Sequence, residues 1–326
     1  MHIAHVASGA TQQADRDTAS STVAVCDLGT YSGLILIARR SGRRWTSLLE
    51  ERQTVDLLAD SRRGRRLDRR ASKRAARLLD RFEDTTRQFG DIKAAVVCTS
   101  AVRESVNRER FVASLQERTD YPVRVLSARK EAILSASGAL IGLRPSMRRT
   151  TVVDIGGGST EIVFLNGLRN RFWLTPWGAA KVTAAWKRSR AQSPDQWVES
   201  GARRTARILQ YLRAPSGRPW RVVGVGGTIV TLAAIHAGLS EFDPRCLHGL
   251  SLRTNWILRV AERLARMNKK EITRLIPFDP DRARVLAAGT ILWSGVLKSL
   301  AVDQVVVSVR GLRWGVAARL AGGQRI

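Results

Sequence analysis

A chain of 326 residues, 44% of them hydrophobic, is too long for one small domain and has enough apolar side chains for a core in each of two. No apolar run reaches transmembrane length, and the three scattered cysteines, Cys26, Cys98 and Cys246, exclude a disulfide scaffold; the expectation is a cytoplasmic protein with no membrane partner. The net charge of +27 predicts either attraction to polyanions or an arginine-rich composition carried on solvated faces, and no helix-turn-helix, zinc-finger or RNA-recognition signature accompanies it.

Residues 1–21 are mostly small and polar and read as a flexible N-terminal tail. Strands are predicted over 23–27, 33–38 and 46–55. Between the first two lies Asp27-Leu28-Gly29-Thr30-Tyr31-Ser32, an acid followed by a glycine turn and hydroxyls. The basic stretch from Arg62 to Arg77 enters a helix predicted over 66–89, with Leu67, Ala71, Ala75, Leu78, Leu79 and Phe82 near helical spacing. That stretch lacks the interleaved aromatics of a single-strand platform. A buried strand over 94–98 runs into Thr99-Ser100-Ala101-Val102-Arg103, and helix 107–119, strand 123–126 and helix 130–143 follow. Glu131 falls in the first turn of that last helix, where an acid suits the macrodipole whether or not it has a catalytic role. Arg144-Pro145-Ser146 reads as a linker.

The second half opens on Val152-Val153-Asp154-Ile155-Gly156-Gly157-Gly158-Ser159-Thr160-Glu161, the most informative segment of the chain. Glycines let a backbone approach a ligand, and successive N–H groups in such a turn make an anion nest. Ser159 and Thr160 add hydroxyl donors, while Asp154 and Glu161 are the hard oxygen ligands that Mg²⁺ prefers. The segment therefore reads as a phosphate and metal loop between strands 150–154 and 161–165. Strand 172–175, helix 179–187 and helix 196–212 come next, the last stopped by Pro215-Ser216-Gly217-Arg218-Pro219. Strand 220–224 leads through Gly226-Gly227-Thr228 into helix 229–237; helices 255–267 and 281–300, strand 305–308 and helix 312–320 complete the chain. Strands alternating with helices mean α/β. An Asp–Gly turn opening each half suggests a duplicated lobe, with Asp27 and Asp154 facing one another across a cleft.

In these motifs the chain resembles the exopolyphosphatase / guanosine pentaphosphate phosphohydrolase family of the actin, sugar-kinase and Hsp70-like ATPase superfamily. The resemblance runs from about Val23 to Ala317 and rests on ordered matches. These are the Asp154 to Glu161 loop, Thr99 to Asn107, Glu131-Ala132, Pro176 to Lys181, Gly226-Gly227-Thr228, Leu247-His248-Gly249 and Gly311-Leu312-Arg313-Trp314-Gly315. It implies two ribonuclease-H-like lobes of the actin-like ATPase kind around a cleft, lobe I over 22–133 and lobe II over 134–326. It implies hydrolysis of terminal phosphoanhydride bonds in inorganic polyphosphate. The alternatives are guanosine pentaphosphate hydrolysis and a catalytically weak polyphosphate or nucleotide sensor. By the same resemblance Glu131 is the general base, and Asp154, Glu161 and Asp27 hold Mg²⁺. Phosphates bind at Gly29, Thr30, Tyr31, Ser32, Arg103, Gly156, Gly157, Gly158, Ser159, Thr160, Gly226, Gly227 and Thr228, and a homodimer is compatible with the pattern. The chain departs from the family at Tyr31, usually Asn or a similar small polar residue, and at Lys130, usually an acid. It departs also at Asp56, usually Arg, at Arg284, usually an acid, and at Val309, usually Asp.

Overall fold

The computed structural model describes residues 20–58, 66–143, 148–167, 169–187, 194–212 and 221–326. Residues 1–19, the start of the basic stretch and the segments around 144–147 and 213–220 lie outside the described residues, and with them most of the expected tail, the linker and the helix stop. Strands β1 (Ser21–Leu28), β2 (Ser32–Ser41) and β3 (Arg44–Thr54) form an antiparallel meander, and β4 (Lys93–Cys98) and β5 (Val123–Val125) add in parallel beside β1. The order is β3-β2-β1-β4-β5. The second sheet contains β6 (Arg148–Ile155), β7 (Thr160–Asn166), β8 (Arg171–Thr175), β9 (Arg221–Val225), β10 (Ser251–Arg253) and β11 (Gln304–Val307), in the order β10-β11-β9-β6-β7-β8. Taken from its other edge, β8-β7-β6-β9-β11 repeats the order and the directions of the first sheet, with β10 appended antiparallel. The duplication expected from the two Asp–Gly turns is thus present strand by strand. Helices cover both faces of each sheet, which is why β1 and β4 read as continuous apolar runs.

The helices of the first half are α1 (Arg69–Arg87), α2 (Ser100–Arg103), α3 (Arg108–Gln116) and α4 (Ala128–Ala139). Asp68 caps α1 by accepting from the Ala71 N–H at 2.8 Å, and its apolar stripe joins the core of β1, β2 and β4. The second half carries α5 (Ala179–Lys187), α6 (Pro194–Leu209), α7 (Gly227–His236), α8 (Pro244–Leu247), α9 (Thr254–Arg266), α10 (Lys269–Leu275), α11 (Leu286–Leu300) and α12 (Leu312–Ala321). Among the described residues no helix is long and apolar enough to cross a membrane.

Two helices change sides. On α4, Ala132, Ala136 and Ala139 pack on Val152, Val163, Val223 and Val225 of the second sheet, while on α12, Leu312, Trp314, Val316 and Ala317 pack on Val23, Val25, Leu36 and Ala38 of the first. The two helices touch through their backbones. A Cβ on Gly138 would stand 2.0 Å from the Gly311 carbonyl oxygen, and one on Gly315 would stand 1.9 Å from that of Leu134. The boundary expected between residues 133 and 134 falls inside α4, and the last helix shares a core with the first sheet, so a single cut in the chain does not separate the lobes. The helix expected over 281–300 is also divided. Pro280–Arg284 is a 3₁₀ turn and α11 begins at Leu286, because the turn is drawn toward the first lobe. There the Tyr31 hydroxyl donates to the Asp281 carbonyl at 2.6 Å and the Thr54 hydroxyl to the Asp281 carboxylate at 2.8 Å.

Candidate active site

Each glycine turn is closed by the same hydrogen bond: Gly29 N–H to the Ser32 carbonyl, and Gly156 N–H to the Ser159 carbonyl, both at 3.1 Å. The turns meet face to face. A Cβ on Gly158 would lie 2.2 Å from Thr30 Oγ1 and 2.6 Å from Ser100 Oγ, so only glycine admits this approach. The start of α5 locks the second turn from behind, with the Ala179 and Ala180 N–H groups donating to the carbonyls of Gly156 and Gly157 at 2.9 Å each.

Between the turns lies a cleft of about 450 Å³. Asp27, Gly29, Thr30, Tyr31, Ser32, Glu131, Asp154, Gly156, Gly157, Gly158, Ser159, Glu161, Gly226, Gly227 and Thr228 line it, so most of the residues singled out in the sequence converge. Asp27 comes from β1 and Asp154 from β6, the equivalent strands of the two sheets. Glu161 is the direct cross-strand partner of Asp154, which puts both carboxylates on one face of the sheet. Like charges placed so repel unless something neutralises them.

Two expected residues do not line the cleft. Arg103 sits behind Glu131, where its Nη1 donates to Glu131 Oε2 at 2.5 Å and to the Leu126 carbonyl at 2.9 Å. Thr160 turns away and donates to the Trp177 carbonyl at 2.7 Å. Tyr31 lines the cleft, but its hydroxyl is engaged by Asp281 and its ring packs with Ala179 and Val285, which makes it a tie between lobes. Ser135 escaped the sequence reading; its hydroxyl donates to the Asp154 carboxylate. It stands one helical turn beyond Glu131, a spacing that places both on one face of α4. The cleft-lining arginines Arg52, Arg282 and Arg313 were likewise not singled out, although Arg313 stands inside the Gly311 to Gly315 match.

The acids are buried and their protons are held accordingly. Burial, and then the charge of Glu131, push Asp27 up to about 7, with Arg313 acting against them. Burial pushes Glu131 up to about 7 as well, opposed by Arg103. Asp154 is raised by burial against the Ser135 hydrogen bond, and Glu161 is raised by burial and by the charges of Glu131 and Asp154. Asp27 Oδ1 and Thr30 Oγ1 are buried with no hydrogen-bond partner. Thr85, Thr86, Thr151 and Thr205 also bury an unpartnered hydroxyl, but Asp27 and Thr30 belong to residues that line the cleft, where a ligand can supply the missing partner.

Among the described residues no three acids or other metal-ligating side chains converge into a ready-made cage. Mg²⁺ asks for less: one or two carboxylates, retained waters and substrate phosphate oxygens. The unpartnered Asp27 Oδ1 and the opposed Asp154–Glu161 pair fit that demand.

A sequence model of the Ppx/GppA phosphatase family matches residues 36–322. Exopolyphosphatase 2 of Mycobacterium tuberculosis is 29% identical, the match covering 93% of this chain and all of that protein. A bifunctional 3-dehydroquinate synthase/phosphatase of Fusobacterium nucleatum is 24% identical over 86% of this chain and 44% of its own length. Among solved structures, the Aquifex aeolicus member of the Ppx/GppA family aligns at a TM-score of 0.79 and 25% identity, covering 94% of this chain and all of that one. An exopolyphosphatase from Cytophaga hutchinsonii aligns at 0.81 with 20% identity, covering 94% of this chain and 99% of the other, which bears on the fold alone. The architecture is the two-lobe actin-like ATPase fold.

Proposed function

Since the chain belongs to the Ppx/GppA phosphatase family, we propose that it hydrolyses the terminal phosphoanhydride bond of inorganic polyphosphate. The observation that carries this reading is the meeting of two glycine turns around the unpartnered Asp27 Oδ1 and Thr30 Oγ1, with Glu131 lining the same cleft. The reaction needs placement of a phosphorus and a water, together with neutralisation of phosphate oxygens. The turns offer backbone N–H groups to the phosphates. Glu131 takes the proton of the attacking water, and Arg103 holds its carboxylate at the orientation the transfer requires. Asp154 and Glu161, with Asp27 opposite them, would hold Mg²⁺ directly or through water, and the ion would supply charge that neutralises the phosphate oxygens. We place this activity in the cytoplasm.

A second reading, guanosine pentaphosphate hydrolysis, is favoured by one feature. Phe242 and Phe278 line the cleft with ring centroids 6.4 Å apart, and Phe242 is 48% exposed. Polyphosphate has nothing to place on an aromatic ring, whereas a nucleobase stacks there. Phosphate release from long-chain polyphosphate and from guanosine pentaphosphate, with and without Mg²⁺, decides between them. Faster release from polyphosphate is expected. Tight binding of either compound without release would make the protein a sensor instead.

A further inference from the structure

The cleft contains a second charged cluster that hydrolysis at Glu131 does not use. Asp279 sits between two guanidinium groups from opposite lobes. Arg52, on β3, donates from Nη1 to Asp279 Oδ1 at 2.6 Å, and Arg282, in the 3₁₀ turn, donates from Nε to Oδ2 at 2.8 Å. All three residues line the cleft. Arg282 is buried, and its guanidinium lies against the first residue of α7, where a Cβ on Gly227 would stand 1.9 Å from Nη1. Two guanidinium groups brought together in this way repel each other; burial and the charge of Arg282 both lower the Arg52 pKa. An anion between them relieves that repulsion, and here a carboxylate of the chain itself supplies it. The planar fork of a guanidinium matches a phosphate as well as it matches a carboxylate.

We propose that Arg52 and Arg282 form a second phosphoryl subsite for the polyphosphate chain, which Asp279 occupies in the free protein and vacates when the chain arrives. The proposal rests on the polyphosphate reading. It makes Asp279 a specificity residue: a single phosphate cannot engage the turns and also displace a tethered carboxylate, whereas a chain of several phosphates does both.

The test uses the full chain with Glu131→Gln, which slows turnover, and calorimetric titration with orthophosphate and with inorganic tripolyphosphate. Adding Asp279→Asn should tighten tripolyphosphate binding roughly tenfold, the size of one modest charge-assisted contact. The fall of affinity with salt should also steepen, because the freed guanidinium groups then hold counterions that the chain must release. Adding Arg52→Gln should abolish the gain. Unchanged or weaker tripolyphosphate binding in Asp279→Asn, or a gain that survives Arg52→Gln, overturns the subsite. If Asp279→Asn does not fold, Arg52→Lys, which keeps the charge and loses the fork, serves in its place. It should weaken tripolyphosphate several-fold more than orthophosphate, and equal effects on the two would overturn the subsite. A protein with native Asp279 and Arg52 that binds no tripolyphosphate overturns the functional reading along with the subsite, whereas binding without the Asp279 effect overturns the subsite alone.

Discussion

Glu131 and Arg103 are 28 residues apart in the chain and meet because α2 follows β4 directly while α4 starts just beyond β5, the neighbouring parallel strand. Neither the partnership nor its direction can be read from local sequence. At its position Glu131 satisfies the helix macrodipole equally well, and only the family resemblance selected it as a base; Arg103 was expected on a phosphate and stands instead behind the carboxylate. Glu131→Gln keeps the side chain's size and removes the basic oxygen. Its kcat should fall on the order of 10²–10⁴-fold, with tripolyphosphate affinity little changed. A rate near that of the native protein would remove Glu131 from the mechanism. Burial raises Glu131, so the ionised base is lost as the pH falls and kcat/KM should show an acid limb, which Mg²⁺ in the cleft draws below the metal-free value of about 7. The charge of Arg103 favours the ionised form, so Arg103→Gln should move that limb to higher pH. A limb that stays in place would make Arg103 an anchor for the loop and nothing more.

At the scale of elements, the strands and glycine turns were legible because apolar runs ending in Asp and Gly leave few alternatives. What was not legible depends on tertiary contacts. The division at Val285 follows from the pull of Tyr31 and Thr54 on Asp281, whereas Pro280 at the head of the segment suits the first turn of an ordinary helix. Two departures from the family pattern, Asp56 and Arg284, looked independent in the sequence. In the fold Arg284 Nη1 lies 3.6 Å from Asp56 Oδ2, so the two departures meet as one ion pair between the 3₁₀ turn and the first lobe. The exchange of α4 and α12 between the sheets likewise leaves its mark only in two glycines 177 positions apart. Their role is testable. Gly315→Ala pushes a methyl group onto the Leu134 carbonyl, a backbone atom that cannot swing aside, and should destabilise the protein by about 1–3 kcal/mol in denaturant unfolding. Stability equal to that of the native protein would mean that the helices separate without penalty and that their contact does not set the lobe geometry.

For the molecule as a whole, the placing of four carboxylates in one cleft links folding to pH. In the unfolded chain Asp and Glu ionise near 4, while in the folded protein Asp27 and Glu131 keep their protons up to about 7, and Asp154 and Glu161 are raised in the same direction. Between these values the folded state binds more protons than the unfolded one, so stability falls as the pH rises. The contribution is complete below about 4 and is lost as the pH passes through the folded values near 7. In metal-free buffer the Tm should therefore be higher at pH 5 than at pH 8, by an amount corresponding to a few kcal/mol. Asp27→Asn, which cannot ionise, should flatten the decline. Mg²⁺ should raise the Tm at pH 8, where the carboxylates are ionised, and much less at pH 5, where protons occupy the same oxygens. A Tm that climbs from pH 5 to pH 8 without metal would show that these acids are ionised and satisfied in the free protein. An equal Mg²⁺ effect at both pH values would place the ion away from the cleft.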